Sequence, residues 1–201
     1  MYKKFDLKSN RLIIRPLKRD DIDKRLKWKK YRDPLYSHYN LLKLTETQKR
    51  QWYLKRKNDP NSIYLAIESI RGKLLGFINL YNINPEKKTA TLGIYLGSEF
   101  TGKGYGTEAI MIILPHYFET IGFNHLRLEV ASHNKRAIEC YRKCGFEPVK
   151  TVFHRHDPRS KLDIFGDDRF RSVRKYFKKE KEKVLVRFEI MRITRRIWLK
   201  P

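Results

Sequence analysis

Cysteine is nearly absent from this 201-residue chain: Cys140 and Cys144 are the two it has, one helical turn apart inside an amphipathic segment. That excludes a disulfide framework, and the neighbourhood lacks the further ligands a zinc site needs, so both are expected as reduced helix thiols. No run approaches the roughly 18 apolar residues of a spanning helix, and the opening M-Y-K-K-F-D-L-K-S-N has no apolar leader core. A cytoplasmic location without a membrane partner is the expectation. Glycines are sparse, there is no internal repeat, and low complexity is confined to K-K-E-K-E-K at Lys178–Lys183. Nor is there a Ser, Cys and His arrangement with the logic of a nucleophilic triad.

Acidic residues are also in short supply. Against 46 Lys and Arg stand 22 Asp and Glu, a formal net charge of +24. Such a balance is compatible with nucleic acid or an anionic surface as partner. The basic residues are spread over nearly every segment, however, which fits a solvated basic surface and does not favour nucleic acid. What the chain does have is 40% hydrophobic and 13% aromatic residues, enough for one globular domain over residues 1–201.

Residues Arg11–Arg15 (R-L-I-I-R) read as a strand stopped by Pro16, and Arg19–Tyr31 carries apolar residues at helical spacing. A second helix is expected over Thr45–Lys57, where Thr45 and Gln48 form a capping-box pair. Three strands follow at Ile63–Glu68, Leu74–Asn82 and Thr89–Leu96, joined by hairpin-type turns. A helix from about Gly106 to Thr120 contains Pro115, which predicts a kink or early stop. Leu126–Ala131 alternates as a strand, Lys135–Cys144 is a helix closed by Gly145, and a sixth strand covers about Glu147–Phe153. The class is therefore α/β (α+β): a mixed, mostly antiparallel sheet flanked by helices.

Two segments carry chemistry. S-E-F-T-G-K-G-Y-G-T-E-A, Ser98–Ala109, sets glycines between a strand end and a helix start, where backbone N–H groups converge on a phosphate. It is not a Walker loop, and the antiparallel strands before it do not suit a dinucleotide fingerprint. The second is L-E-V-A-S-H-N-K-R-A-I-E-C-Y-R-K-C-G-F, Leu128–Phe146. Together, in this order, they resemble the coenzyme-A half of GNAT N-acetyltransferases, particularly the branch with ribosomal-protein N-terminal and spermidine acetyltransferases. The resemblance covers roughly Arg11–Val152, with a final strand resuming near Val184.

The resemblance implies acetyl-CoA as cosubstrate and no metal. It implies that the backbone of Ile94, Tyr95 and Leu96 pairs with the pantetheine arm. Gly102, Lys103, Gly104, Tyr105, Gly106 and Thr107 would cradle the pyrophosphate, and Asn134 would bond the cofactor. Tyr141 would protonate the departing thiolate, as a phenol near the sulfur can. Two departures stand out: Thr101 occupies the place where the family has Arg or Gln, and Thr91 the place of its strand-four glutamate. Glu129 is the substitute base, since a protonated amine must lose a proton before attack. His133 is an alternative base, although its position suggests a side chain turned the other way.

The C-terminal part departs from the family. His154, His156 and Asp157 resemble a metal cluster only superficially. The basic insertion at about 154–183 is expected to bear a helix, with Phe170, Val173 and Phe177 on one face, forming a flap beside the acceptor cleft. Val184–Trp198 alternates like a strand whose arginines suggest an exposed edge. The expected activity is direct attack of a primary amine, from a peptide N-terminus or small molecule, on acetyl-CoA in a ternary complex. A catalytically silent module binding coenzyme A or RNA is the alternative, and a homodimer is compatible with the chain.

Overall fold

Period-two alternation organises the sheet. In the strand at His125–Ala131, Leu126, Leu128 and Val130 are buried while Arg127 and Glu129 are exposed, as successive side chains point to opposite faces. The computed structural model describes residues 5–156 and 162–199. Its strands are β1 (Leu7–Lys8), β2 (Leu12–Pro16), β3 (Ile63–Ser69), β4 (Leu74–Asn84), β5 (Thr89–Leu96), β6 (His125–Ala131), β7 (Glu147–Arg155), β8 (Phe177–Glu180) and β9 (Lys183–Thr194). The helices are α1 (Asp21–Leu26), α2 (Glu46–Lys57), α3 (Tyr105–Pro115), α4 (Lys135–Lys143) and α5 (Arg195–Trp198).

The strands form one mixed sheet in the order β1-β2-β3-β4-β5-β6-β9-β7, with β8 added on β9. Every pairing is antiparallel except β5 with β6. One face carries the main core: Leu12, Ile14, Leu65, Ile67, Leu92 and Leu128 pack under α3 and α4. On the other, Ala66, Phe77, Tyr64 and Tyr95 meet Trp28 and the α2 side chains Trp52 and Tyr53. That second face also carries a buried ion network. The Arg15 guanidinium bonds both Asp21 carboxylate oxygens at 2.8 Å and reaches Glu68 as well.

Local signals decide most boundaries. Thr45 accepts from Gln48 N, and the Gln48 side chain accepts from Thr45 N at 2.9 Å, the reciprocal cap that starts α2. At Pro115 the missing N–H breaks the α ladder, and His116–Thr120 winds on as a π-helix, Ile121 N donating to His116 O.

Three expectations change. The first helix stops at Leu26, not Tyr31, because Trp28 turns inward: its indole N–H donates to Leu74 O at 3.1 Å, and its ring lies 5.7 Å from Phe77. Val184–Trp198 is not an edge. β9 lies between β6 and β7, so its Arg187 and Arg192 side chains project from the faces of an interior strand whose amides are paired on both sides. Finally, the single helix face expected at Phe170, Val173 and Phe177 is two 3-10 turns, Asp168–Phe170 and Arg174–Tyr176, leading into β8. Phe170, Tyr176 and Phe177 still bury, now against Ile164 and Val186, with Leu35 at the edge of the cluster.

Candidate functional site

The site begins where the sheet opens. β5 and β6 pair only from Thr89–Thr91 to His125–Arg127. Past that point β5 stays on β4 while β6 continues against β9, leaving a wedge-shaped gap. Gly97 N donates to Leu75 O at 2.9 Å. By alternation, the amides of Tyr95 and Gly93 therefore point to β4, and those of Ile94 and Leu96 point into the gap. This corrects the expectation for Tyr95: its backbone serves β4, and its side chain, 5.3 Å from the Phe77 ring, serves the α1–α2 face. Leu96 O accepts the Tyr31 hydroxyl at 2.8 Å.

At the mouth of the gap lies the glycine loop. Gly102 and Gly104 have φ of +75° and +79°, a region that L side chains rarely adopt, and Gly104 caps α3. The first intrahelical bond runs from Glu108 N to Gly104 O, so the N–H groups of Tyr105, Gly106 and Thr107 are left for an anion. The Thr101 hydroxyl donates to Ser98 O at 2.9 Å and is thus spent on the loop itself. Arg11 brings a cation beside the loop. Its guanidinium donates to Lys103 O at 3.3 Å, stacks 4.8 Å over the Tyr105 ring and is oriented by Glu108. Nothing local in the sequence marks Arg11; only the packing of β2 against α3 brings it here.

α4 supplies the next residues. Asn134 caps it, its side chain accepting from Ala137 N at 3.2 Å, so the amide NH₂ is the part left for a ligand. Gly145 (φ +85°) closes the helix, and Phe146 N bonds back to Tyr141 O in a Schellman arrangement that seats the Phe146 ring 6.0 Å from Tyr141. Tyr141 is thereby fixed and buried. Burial pushes its phenol far above the usual range, with Tyr39, Cys140, Cys144 and Tyr81 adding to the shift. The phenol is therefore held in its neutral, proton-donating form on α4, the helix that Asn134 caps. Cys140 Sγ lies 3.3 Å from Thr107 Oγ1, tying α4 to the first turn of α3.

Glu129 lies on the α1–α2 face of β6, its Oε2 3.0 Å from His154 Nε2 on β7. The two are about equally exposed, at 43% and 48%. His154 is a partner that the sequence does not disclose, since its spacing to His156 suggests a metal instead. His156 packs 5.7 Å from Phe177, and Asp157 lies outside the described residues. Among the described residues no cluster of three or more His, Cys, Asp or Glu is placed to hold a metal, and no helix is long and apolar enough to cross a membrane. His133 sits past the end of β6, stacked 5.6 Å on Phe177. Burial lowers it to about 4, so it is neutral at pH 7 and a weak base. Thr91, paired with Tyr81 and Arg127, brings no carboxylate to the gap.

Comparison with known proteins agrees with this fold. The family model described as an acetyltransferase (GNAT) domain matches residues 11–147. The chain is 29% identical over 94 residues to a spermidine N(1)-acetyltransferase of Vibrio cholerae, covering 47% of this chain and 54% of that protein. It is also 29% identical over 75 residues to the putative ribosomal N-acetyltransferase YdaF of Bacillus subtilis, covering 37% of this chain and 41% of that one. The chain thus spans about half the length, or less, of these relatives. Among solved structures, spermidine N-acetyltransferase from Vibrio cholerae in complex with CoA and spermine superposes with a TM-score of 0.69 at 19% identity, over 96% of this chain and all of that one. The open sheet, the glycine loop at a helix start and the match over residues 11–147 lead to one conclusion: the chain belongs to the GNAT acetyltransferase family.

Proposed function

We propose that this protein transfers an acetyl group from acetyl-CoA to a primary amine by direct attack in a ternary complex. The observation that carries the reading is that three features sit around one opening in the sheet: the edge of β5 at Ile94 and Leu96, the phosphate-type loop that follows it and the buried Tyr141 on α4, the helix tied to the first turn of α3.

Coenzyme A fits these residues. The free N–H groups of Tyr105–Thr107, with Arg11 beside them, suit a pyrophosphate. Ile94 and Leu96 offer a strand edge to an amide-bearing arm, and the Asn134 amide a further donor. Acetyl-CoA supplies the activated acyl group. The chain's own residues then handle protons: Glu129, turned from His154 toward the gap, accepts one from the incoming ammonium, directly or through water, and Tyr141 gives one to the departing sulfur and regains the one the nitrogen loses as the amide forms. Tyr141, Asn134 and the loop occurring together support transfer over a silent binding module. Purified protein mixed with acetyl-CoA and a panel of primary amines should release free thiol. Tight coenzyme A binding with no thiol release for any amine would favour the silent module.

A further inference from the structure

The α1–α2 face beside the gap holds two arginines without acids. The Arg25 guanidinium lies 4.7 Å over the Tyr95 ring, and Arg56 lies 4.2 Å over Trp52. Among the described residues no carboxylate pairs with either. The contrast with Arg15, on the same face, is direct: that guanidinium is matched by both Asp21 and Glu68. Arg25 is drawn below its ordinary value chiefly by burial, with Tyr95 opposing and Arg56 adding to the shift, and the aromatic rings of Tyr95, Trp52 and Phe77, not a carboxylate, face its charge. The Nε of Arg25, the Nε of Arg56 and the Nε1 of Trp52 are buried donors with no partner. Unpaired buried donors and cations are costly, and native structures seldom keep them without a ligand, ion or water to answer them. Arg25 also lines a cleft with Lys29, Lys30, Tyr31 and Tyr39, whose lining carries no acidic side chain.

Resting on the transferase reading above, we propose that the acceptor is an anionic amine: Arg25, with Arg56 beside it, binds a carboxylate or phosphate that the acceptor carries a short spacer away from its amine. Register supports the spacing. Asn79, Gly93 and Glu129 share the α1–α2 face across the gap, with Gly93 contributing no side chain and Asn79 Oδ1 a buried, unpartnered acceptor. An ammonium near Gly93 would lie beside the Tyr81 ring and Asn79, on the face that Glu129 shares. Two residues on, roughly 7 Å along β5, Tyr95 lies under Arg25. A polycation would instead meet Arg25, Lys29 and Lys30, with Glu99, already bonded to the Lys29 amide, as the carboxylate beside that lining.

The test uses matched pairs with the full chain: γ-aminobutyrate against its amide, phosphoethanolamine against ethanolamine, and spermidine alone, followed by thiol release, with coenzyme A affinity measured alongside. The wild type should prefer one anionic member by about tenfold or more in kcat/KM, and the pair that shows it distinguishes carboxylate from phosphate. Arg25→Gln should collapse that ratio toward one, and Arg25→Lys should restore part of it. Three outcomes overturn the proposal: preference for spermidine or for the uncharged members, no release with any anionic amine although coenzyme A binds, or an Arg25→Gln variant that slows both members of a pair equally. Failure to bind coenzyme A would instead remove the transferase reading itself.

Discussion

Glu129 Oε2 and His154 Nε2 are 3.0 Å apart, one on β6 and the other on β7, spanning the intervening β9. The imidazole draws the carboxylate across β9, on the face that Gly93 and Asn79 share but away from the gap between β5 and β6, so serving the gap takes a change of Glu129 rotamer. Glu129→Gln should lower turnover at neutral pH by about 100-fold or more, with the defect shrinking at high pH where free amine is abundant. His154→Gln should change the rate less than Glu129→Gln and leave the pH dependence in place, since the imidazole is only the carboxylate's resting partner. Rate profiles from pH 6 to 10 check this, and a uniform defect across the range would return Glu129 to a surface role.

The loop makes a separate prediction about affinity. At Gly104 a side chain is strained by φ of +79° and would project 3.4 Å from an Arg11 amino nitrogen. Gly104→Val should weaken coenzyme A binding sharply, and Arg11→Ala should weaken it by about tenfold and make it less salt-sensitive. Calorimetry on folded variants at two salt concentrations is the measurement. Unchanged affinity in both would move the pyrophosphate elsewhere.

Acid stability follows from His133. Its folded value of about 4 lies below the ordinary 6.5, chiefly through burial, with Asp33 opposing the shift. Between those values the unfolded chain takes up a proton that the folded chain refuses, so stability should fall as pH drops from about 6.5 toward 4. His133→Phe, which keeps an aromatic ring against Phe177, should flatten that loss in denaturant titrations at pH 7 and pH 5. An identical loss in both proteins would assign it to other groups.

The Arg15–Asp21 pair is buried, with Asp21 inaccessible and Arg15 6% exposed. Asp21→Ala leaves the guanidinium short of its bidentate partner and frees Lys18 N as well. The expected loss is about 3–5 kcal/mol, read as a lower denaturant midpoint. A loss near zero would mean Glu68 alone compensates the charge.

Features set by neighbouring residues are legible in the amino-acid sequence of this protein. The Thr45–Gln48 cap, the alternation of β6, the break at Pro115 and the Gly145 stop are each written within a few residues. The glycine loop is readable for the same reason, as a strand–turn–helix signal, while Tyr141 is legible as a helix position and its role comes only from the family resemblance. Residues whose roles depend on distant pairing are not. Nothing in Val184–Trp198 says that it enters between β6 and β7, and that entry is what brings His154 to Glu129. The same holds for Arg11 at the loop and for Arg25, whose significance is the absence of an acid around it. Phe170 and Phe177 are legible as buried but not as parts of turns and a strand, because tertiary packing against Ile164 and Val186 overrides the helical spacing.

The central claim is that a neutral, buried Tyr141 protonates the sulfur leaving acetyl-CoA. The most direct measurement compares wild type and Tyr141→Phe in thiol release with the best acceptor, with coenzyme A affinity determined for both. The account predicts a fall in kcat of about 100- to 10,000-fold with affinity nearly unchanged. A Tyr141→Phe protein that turns over at the wild-type rate would contradict it.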